Sequence, residues 1–323
     1  MVTTSQSEIR TMRGMCIRSF AGADSIHCED IPMPEPHEGE VLVRIHAAGV
    51  NPYDWKVCQG EFGPLPMPQV PGGDISGVIE SLGEGVTDFY AGQSVFGRSS
   101  FGGGFAEFAA VPVSGLAPRP PGVSEIEAAA TPLAALTAWQ ALFDIASLRR
   151  NQRILIHGGA GGVGSFAVQF AQHAGATVIA TGSAGNIPFL LHMGVEQAID
   201  YNAMEFEHAV RQVDVVLDLI GGETQKRSLP LVRPGGILIS TVAQPSREDA
   251  LKMGIIALQM RTQSLGDQLV HFAELISKGE LKVFVDKIFP LPQVAEALRL
   301  SRQGHCRGKI VINVDHDACH PYH

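Results

Sequence analysis

The stretch Ile154-Leu155-Ile156-His157-Gly158-Gly159-Ala160-Gly161-Gly162-Val163-Gly164 restricts the possible folds of this chain more than any other. A short apolar run passes directly into a cluster of glycines. Phe166, Val168, Phe170 and Ala171 follow at helical spacing. Strand, glycine turn and helix, in that order, let a backbone wrap a diphosphate. Gly159, Gly161 and Gly164 fit the G-x-G-x-x-G pattern. The first is expected to permit the tight turn, the second to let the backbone approach a pyrophosphate, and the third to bring the helix against the strand. Gly162 and Val163 lie in the same turn. Exposed N–H groups and the positive end of the helix dipole would hold the phosphates. A glycine-rich strand–helix turn without a nucleotide is the plainer alternative. The change from strand-like to helix-like apolar periodicity, with a second strand at Thr177–Thr181, favours the βαβ unit.

The chain has 323 residues, enough for two domains. At 45% hydrophobic residues it can fill a real core. A net charge of -9 argues against a nucleic-acid partner. No apolar run reaches the roughly 18 residues of a membrane span. Residues Met1 to Arg10 are polar and read as a loose leader without a secretory core. Cys16, Cys28, Cys58, Cys306 and Cys319 are scattered, which fits free thiols in a reducing cytoplasm.

Before Ser124 the chain reads as short strands broken by Gly and Pro. They are expected at 15–20, 40–48, 74–83, 94–97 and 105–111, as a compact barrel-like β domain. Asn51-Pro52 predicts a turn. From Glu125 the pattern turns helical, and from Arg153 it alternates. Strands are expected at 153–158, 177–182, 197–200, 213–219 and 236–242, with helices starting near Gly162, Asn186, Glu205 and Glu223. This is an α/β, doubly wound parallel sheet. Residues 255–260 could add a last strand, followed by a helix over 266–278. The later segments 282–289, 292–302 and 309–314 read as strand, helix and strand, and could return to the first domain.

Together these segments resemble the medium-chain dehydrogenase/reductase superfamily, and within it the zinc-free quinone oxidoreductase branch. The resemblance rests on Gly49–Lys56, Pro71–Val78, Asn151–Gly164 with Gln169, Asp200-Tyr201, and Arg307-Gly308-Lys309-Ile310-Val311. It implies a GroES-like β-barrel catalytic domain over 1–125, a Rossmann domain over 126–270 and a return segment over 271–323. The active site would lie in the cleft between them, and a homodimer is expected. Zinc-dependent members carry Cys in the segment matched by Asn51, and Gly-His-Glu where this chain reads Gly72-Gly73-Asp74. A catalytic zinc needs about three protein ligands, so no metal is expected. A reduced nicotinamide would instead deliver hydride to a quinone or an electron-poor C=C bond.

The second Rossmann strand ends Thr181-Gly182-Ser183-Ala184, without the carboxylate that holds an NAD ribose. NADPH is therefore expected, with NADH possible. By resemblance Ser183 and Tyr201 would contact the 2′-phosphate. A Lys common in relatives is replaced by Asn186, which leaves Arg307 as the candidate cation. The resemblance also places Asn51, Tyr53 and Lys56 at the nicotinamide and substrate. Thr137 would meet the carboxamide, and Val242 a cofactor-contacting loop. Each has a plainer reading: a turn for Asn51, burial for Tyr53, a surface Asp54–Lys56 pair, and a helix residue for Thr137. His157 is expected to be a hydrogen-bonded core histidine. The tail bearing His316, Cys319, His320 and His323 carries no functional claim. The leading expectation is an NADPH-dependent reductase of quinones or α,β-unsaturated carbonyls. A catalytically silent, crystallin-like or regulatory nucleotide-binding protein and an enoyl-thioester reductase are the alternatives.

Overall fold

A computed structural model describes residues 10–99 and 102–314. The chain opens on an antiparallel pair, β1 (Thr11–Ile17) and β2 (Ile26–Pro32). Strand β3 (Glu40–Val50) then runs into the short helix α1 (Pro52–Cys58). Next come β4 (Asp74–Leu82), β5 (Ser94–Arg98), β6 (Phe108–Pro112) and β7 (Leu116–Pro118). Two helices follow, α2 (Glu125–Ala130) and α3 (Pro132–Trp139). A capping box starts α2. Ser124 Oγ accepts the Glu127 N–H at 3.2 Å, and the Glu127 carboxylate accepts the Ser124 N–H at 3.0 Å. Pro132 opens α3, where its missing N–H costs nothing.

The alternating part contains β8 (Arg153–Ile156), α4 (Gly162–His173), β9 (Thr177–Gly182), α5 (Ile187–His192), β10 (Gln197–Asp200) and α6 (Phe206–Ala209). It continues with β11 (Val213–Asp218), α7 (Gly222–Ser228), β12 (Val232–Ser240), α8 (Arg247–Lys252) and β13 (Ile256–Gln259). These six strands form one parallel sheet in the order β10-β9-β8-β11-β12-β13. The strand order reverses beside β8, so the switch point falls at the glycine turn. After α9 (Gly266–Ser277) the chain forms β14 (Val285–Pro290), α10 (Val294–Gln303) and β15 (Lys309–Asn313). β15 pairs antiparallel with β3, matching Ile310 to Val50 and Asn313 to Ala47. The second sheet therefore reads β14-β15-β3-β4-β5-β7, with β6 on β3.

This is the expected fold: a GroES-like β part and a doubly wound parallel sheet. Several local expectations need correction. The first strand occupies 11–17 rather than 15–20, and the strand expected at 105–111 begins at Phe108. The strands at 26–32 and 116–118 were not anticipated, because their burial alternates weakly. The tail bearing His316, Cys319, His320 and His323 lies outside the described residues.

Three large apolar clusters, and a small fourth around Ala47, Ala129, Ala130 and Val311, fill the fold. One packs Phe166, Phe170 and Phe272 on one face of the parallel sheet, a second sets Leu155, Val216 and Leu238 on the other, and a third fills the β part around Ile45, Ile75 and Phe105. Where α2 crosses β3, a Cβ on Gly49 would stand 2.3 Å from the Ala129 carbonyl oxygen. Only glycine permits that approach, which sets β3 against the helices.

Candidate active site

The phosphate turn divides its work among the glycines differently from the expectation. The left-handed residue is Gly158 (φ +70°), not Gly159. Gly159 is needed for packing, since a Cβ there would meet the Ala180 Cβ at 2.7 Å. Gly164 does the expected job: its Cβ would fall 2.2 Å from the Gly158 carbonyl oxygen. Gly161 faces comparatively open space, with only that carbonyl oxygen at 3.4 Å. It is also the N-cap of α4, and no side chain caps the helix. The first turn, containing Gly162, Val163 and Gly164, can therefore offer N–H groups to an external anion. The residues present fit a dinucleotide pyrophosphate.

The C-terminal segment His305–Lys309 is laid along this turn. The Gly308 N–H donates to the Ala160 carbonyl at 2.8 Å, and Gly161 bridges to Gly308. From that bridge the segment reaches in two directions. Outward, the Arg307 guanidinium donates to Asn186 Oδ1 at 3.2 Å and to the Gly185 carbonyl at 3.0 Å, and sits over Phe189. Asn186 Nδ2 in turn donates to Ser183 Oγ at 3.3 Å. Tyr201 is 43% exposed, and its hydroxyl meets His305 Nδ1 at 3.4 Å. Ser183, Tyr201 and Arg307 thus gather beyond the end of β9. Among the described residues no carboxylate pairs with Arg307.

Inward, Lys309 is buried. Its stem lies where a Cβ on Gly162 would be, 2.9 Å from the Lys309 Cδ. Its ammonium donates to the Val50 carbonyl at 2.9 Å and to Asn51 Oδ1, and stands 3.9 Å from Asp74. Asn51 Nδ2 donates to Asp74 Oδ2 at 2.9 Å. Asp74 also accepts the Leu133 N–H at 3.1 Å and pairs with Arg98 at 3.2 Å. Asp54 accepts the Asn51 N–H at 2.7 Å. Burial pushes the Asp54 carboxyl up to about 7. Burial also holds Lys309 below the usual lysine range, against the pull of Asp74 and Asp54.

Two of the plainer readings fail here. The Asp54–Lys56 surface pair does not form, because Asp54 is buried in the first turn of α1 and Lys56 sits over the Trp55 ring. Tyr53 is not buried; it is 41% exposed and stacks on Phe62 at 4.5 Å. Asn51 is more than a turn residue, since both ends of its amide are engaged. The Thr137 hydroxyl donates to the Leu133 carbonyl and meets Thr262 Oγ1 at 2.7 Å. Val242, 37% exposed, follows β12 at the carboxyl edge of the sheet. His157 is the expected core residue, held between Thr181 and Ser228, with its pKa lowered by burial to about 4.

Sequence reasoning missed Asp74, Arg98 and Lys309 as one cluster. The signal was present: Lys309 is a charge at the head of the apolar strand Ile310-Val311-Ile312, and Asp74 begins another. It also missed Gln140, whose amide holds Gln263 N–H and C=O at 2.9 Å, beside the Thr137–Thr262 contact.

Residues 37–121 match the family described as alcohol dehydrogenase GroES-like domain, and residues 193–312 the family described as zinc-binding dehydrogenase. The chain is 31% identical to a chloroplast envelope quinone oxidoreductase homolog of Arabidopsis thaliana, over 94% of this chain and 98% of that one. It is 32% identical to an NADPH-dependent alkenal/one oxidoreductase of the same plant, over 96% of this chain and 82% of that one. The quinone oxidoreductase structure from Coxiella burnetii superposes with a TM-score of 0.88 at 31% identity, covering 95% of this chain and all (100%) of the other.

Proposed function

This chain belongs to the medium-chain dehydrogenase/reductase superfamily, and from that premise we propose that it is an NADPH-dependent, zinc-independent reductase of quinones or α,β-unsaturated carbonyls. An oxidoreductase role with a nicotinamide cofactor follows from its relatives. The finer reading is carried by one observation. At the end of β9 stand two hydroxyls and an Arg307 guanidinium that, among the described residues, has no carboxylate partner, the chemistry that suits a 2′-phosphate.

When bound, the nicotinamide supplies the hydride. The chain's own residues bind and orient it. The open start of α4 takes the pyrophosphate, Arg307 the adenosine end, and Thr137 and Val242 the wall near the nicotinamide. Tyr53 and Lys56, on the exposed face of α1, would meet the acceptor. Zinc independence is supported by chemistry that is present. Asn51 and Gly73 stand where zinc-dependent members carry ligands, and two protein cations, Arg98 at 3.2 Å and Lys309 at 3.9 Å, already stand beside Asp74 there. We divide the chain into a catalytic part, 1–125 and 271–323, and a Rossmann part, 126–270.

A homodimer is supported by β13, an edge strand with Ile256 57% exposed, and by Leu251 of the preceding helix α8, 69% exposed. A reducing compartment such as the cytoplasm suits the free Cys16, Cys28, Cys58 and Cys306. Among the described residues no helix is long and apolar enough to cross a membrane.

The test is steady-state oxidation of NADPH and NADH with a panel of quinones and enones, alongside binding of 2′,5′-ADP and 5′-AMP. Preference for the 2′-phosphorylated members and turnover of at least one acceptor class are expected. Equal affinity for both nucleotides would reject NADPH. Tight cofactor binding with no turnover would favour the silent nucleotide-binding alternative.

A further inference from the structure

We propose that Lys309 is a positioning residue for hydride transfer: one side chain seats against the phosphate turn and fixes the Asn51 amide. The inference rests on the nicotinamide reading above, which uses Lys309 only as a cation beside Asp74 and gives it no part in hydride transfer. Lys309 is 4% exposed and lies at the meeting of three elements. Its backbone starts β15. Its stem packs on Gly162, at the first turn of α4. Its ammonium reaches Val50 and Asn51, at the junction of β3 and α1. One lysine stem and one hydrogen bond therefore connect the phosphate turn to the amide.

Asp54 and Asp74 are the acidic groups of the cluster, Arg98 and Lys309 the basic ones. Asn51 sits among them and is neutral. It accepts from Lys309 through Oδ1 and donates one proton of Nδ2 to Asp74. That pattern admits only one orientation of the amide, because a flipped amide would turn its NH2 toward the ammonium. It leaves the second proton of Nδ2 without a partner among the described residues, free to donate. A buried lysine is an expensive way to hold a fold, since a matched apolar residue is often as stable. Its specific effect here is to fix which end of Asn51 donates.

The decisive comparison is Lys309→Met, which keeps the stem and removes the charge. Because Lys309→Met removes a cation from beside two buried carboxyls and could prevent folding, Lys309→Met/Asp54→Asn, which leaves Asp74 paired with Arg98, is read against Asp54→Asn as its baseline. Asn at 54 retains an acceptor for the Asn51 N–H. In either background, NADPH affinity should change less than about threefold, while single-turnover hydride transfer falls by at least about tenfold. The emission shift of bound NADPH, which reports the surroundings of the nicotinamide, should diminish in parallel. Lys309→Arg should recover part of both. Adding Asn51→Ala to Lys309→Met should cost little more than either alone, because the lysine acts through the amide.

Hydride transfer within twofold of baseline in the folded variants would overturn the proposal. So would losses from Lys309→Met and Asn51→Ala that multiply. A wild-type protein that binds no reduced nicotinamide would reject the functional reading, and this inference with it. Failure confined to the variant comparisons rejects the inference alone.

Discussion

Arg307 and Lys309 are two residues apart and live in opposite worlds. Arg307 is exposed, anchored by an amide and a carbonyl, with no carboxylate partner among the described residues. Lys309 is buried, with Asp74 beside it and the Val50 and Asn51 oxygens on its ammonium. The outer charge is available to a ligand. The inner one is already spent within the protein, so it can act only through what it holds. On the proposed reading, the same segment serves recognition through Arg307 and positioning through Lys309.

This contrast breaks most sharply at Asp74, the hub of the inner cluster. Asp74→Ala leaves the buried Lys309 and the half-buried Arg98 with too little negative charge. It should cost about 3–5 kcal/mol, measured by urea unfolding. A loss below about 1 kcal/mol would mean that the inner charges are not coupled.

Next in size is Gly161→Ala. Its backbone (φ -77°) accepts any residue, and the space beside it is open. The protein should remain as stable as wild type, while a methyl group in the path of the pyrophosphate weakens NADPH binding roughly 100-fold, about 2.7 kcal/mol. If stability falls and binding does not, the turn packs rather than recognises.

At the outer end, Arg307→Ala should weaken NADPH binding about 10- to 100-fold through loss of a charged hydrogen bond worth about 1.5–3 kcal/mol. Affinity for NADH should change little, and stability by less than about 0.5 kcal/mol. Equal losses for both cofactors by calorimetry would place Arg307 elsewhere than at a 2′-phosphate.

A last comparison separates the two halves by pH. Asp54 is raised from 3.8 to about 7. Its contribution to stability is full below its unfolded value and is lost as pH rises through about 7. His157 is lowered from 6.5 to about 4, so its contribution is present above about 6.5 and lost as pH falls toward 4. Asp54→Asn should flatten the decline on the neutral side, and His157→Gln the decline on the acid side. Urea midpoints at several pH values would expose either failure.

Much of the molecule was legible from local pattern. The parallel sheet follows from strand and helix periodicities that each segment carries within itself. The glycine turn announces the switch point. The missing carboxylate after β9 is a local fact and pointed to NADPH, whereas Ser183, Tyr201 and Arg307 were nameable only through the family resemblance. Their gathering into one place was an expectation that only coordinates could examine. The division of labour at Gly158 and Gly159 was not legible, because which glycine takes the left-handed backbone depends on how closely Ala180 and Leu190 approach. The Asp54–Lys56 pairing failed for a related reason: nearness in sequence says nothing about which side of a helix is buried.

By itself the sequence determined that a βα alternation with a glycine-opened helix must form, since apolar spacing and the absence of a Cβ act at short range. Tertiary structure alone decided that Lys309 meets Asn51 across 258 positions of chain. Partners for buried charges are chosen by whichever strands come to lie side by side. Here that required β15 to travel back to β3, a choice made by the packing of the whole molecule.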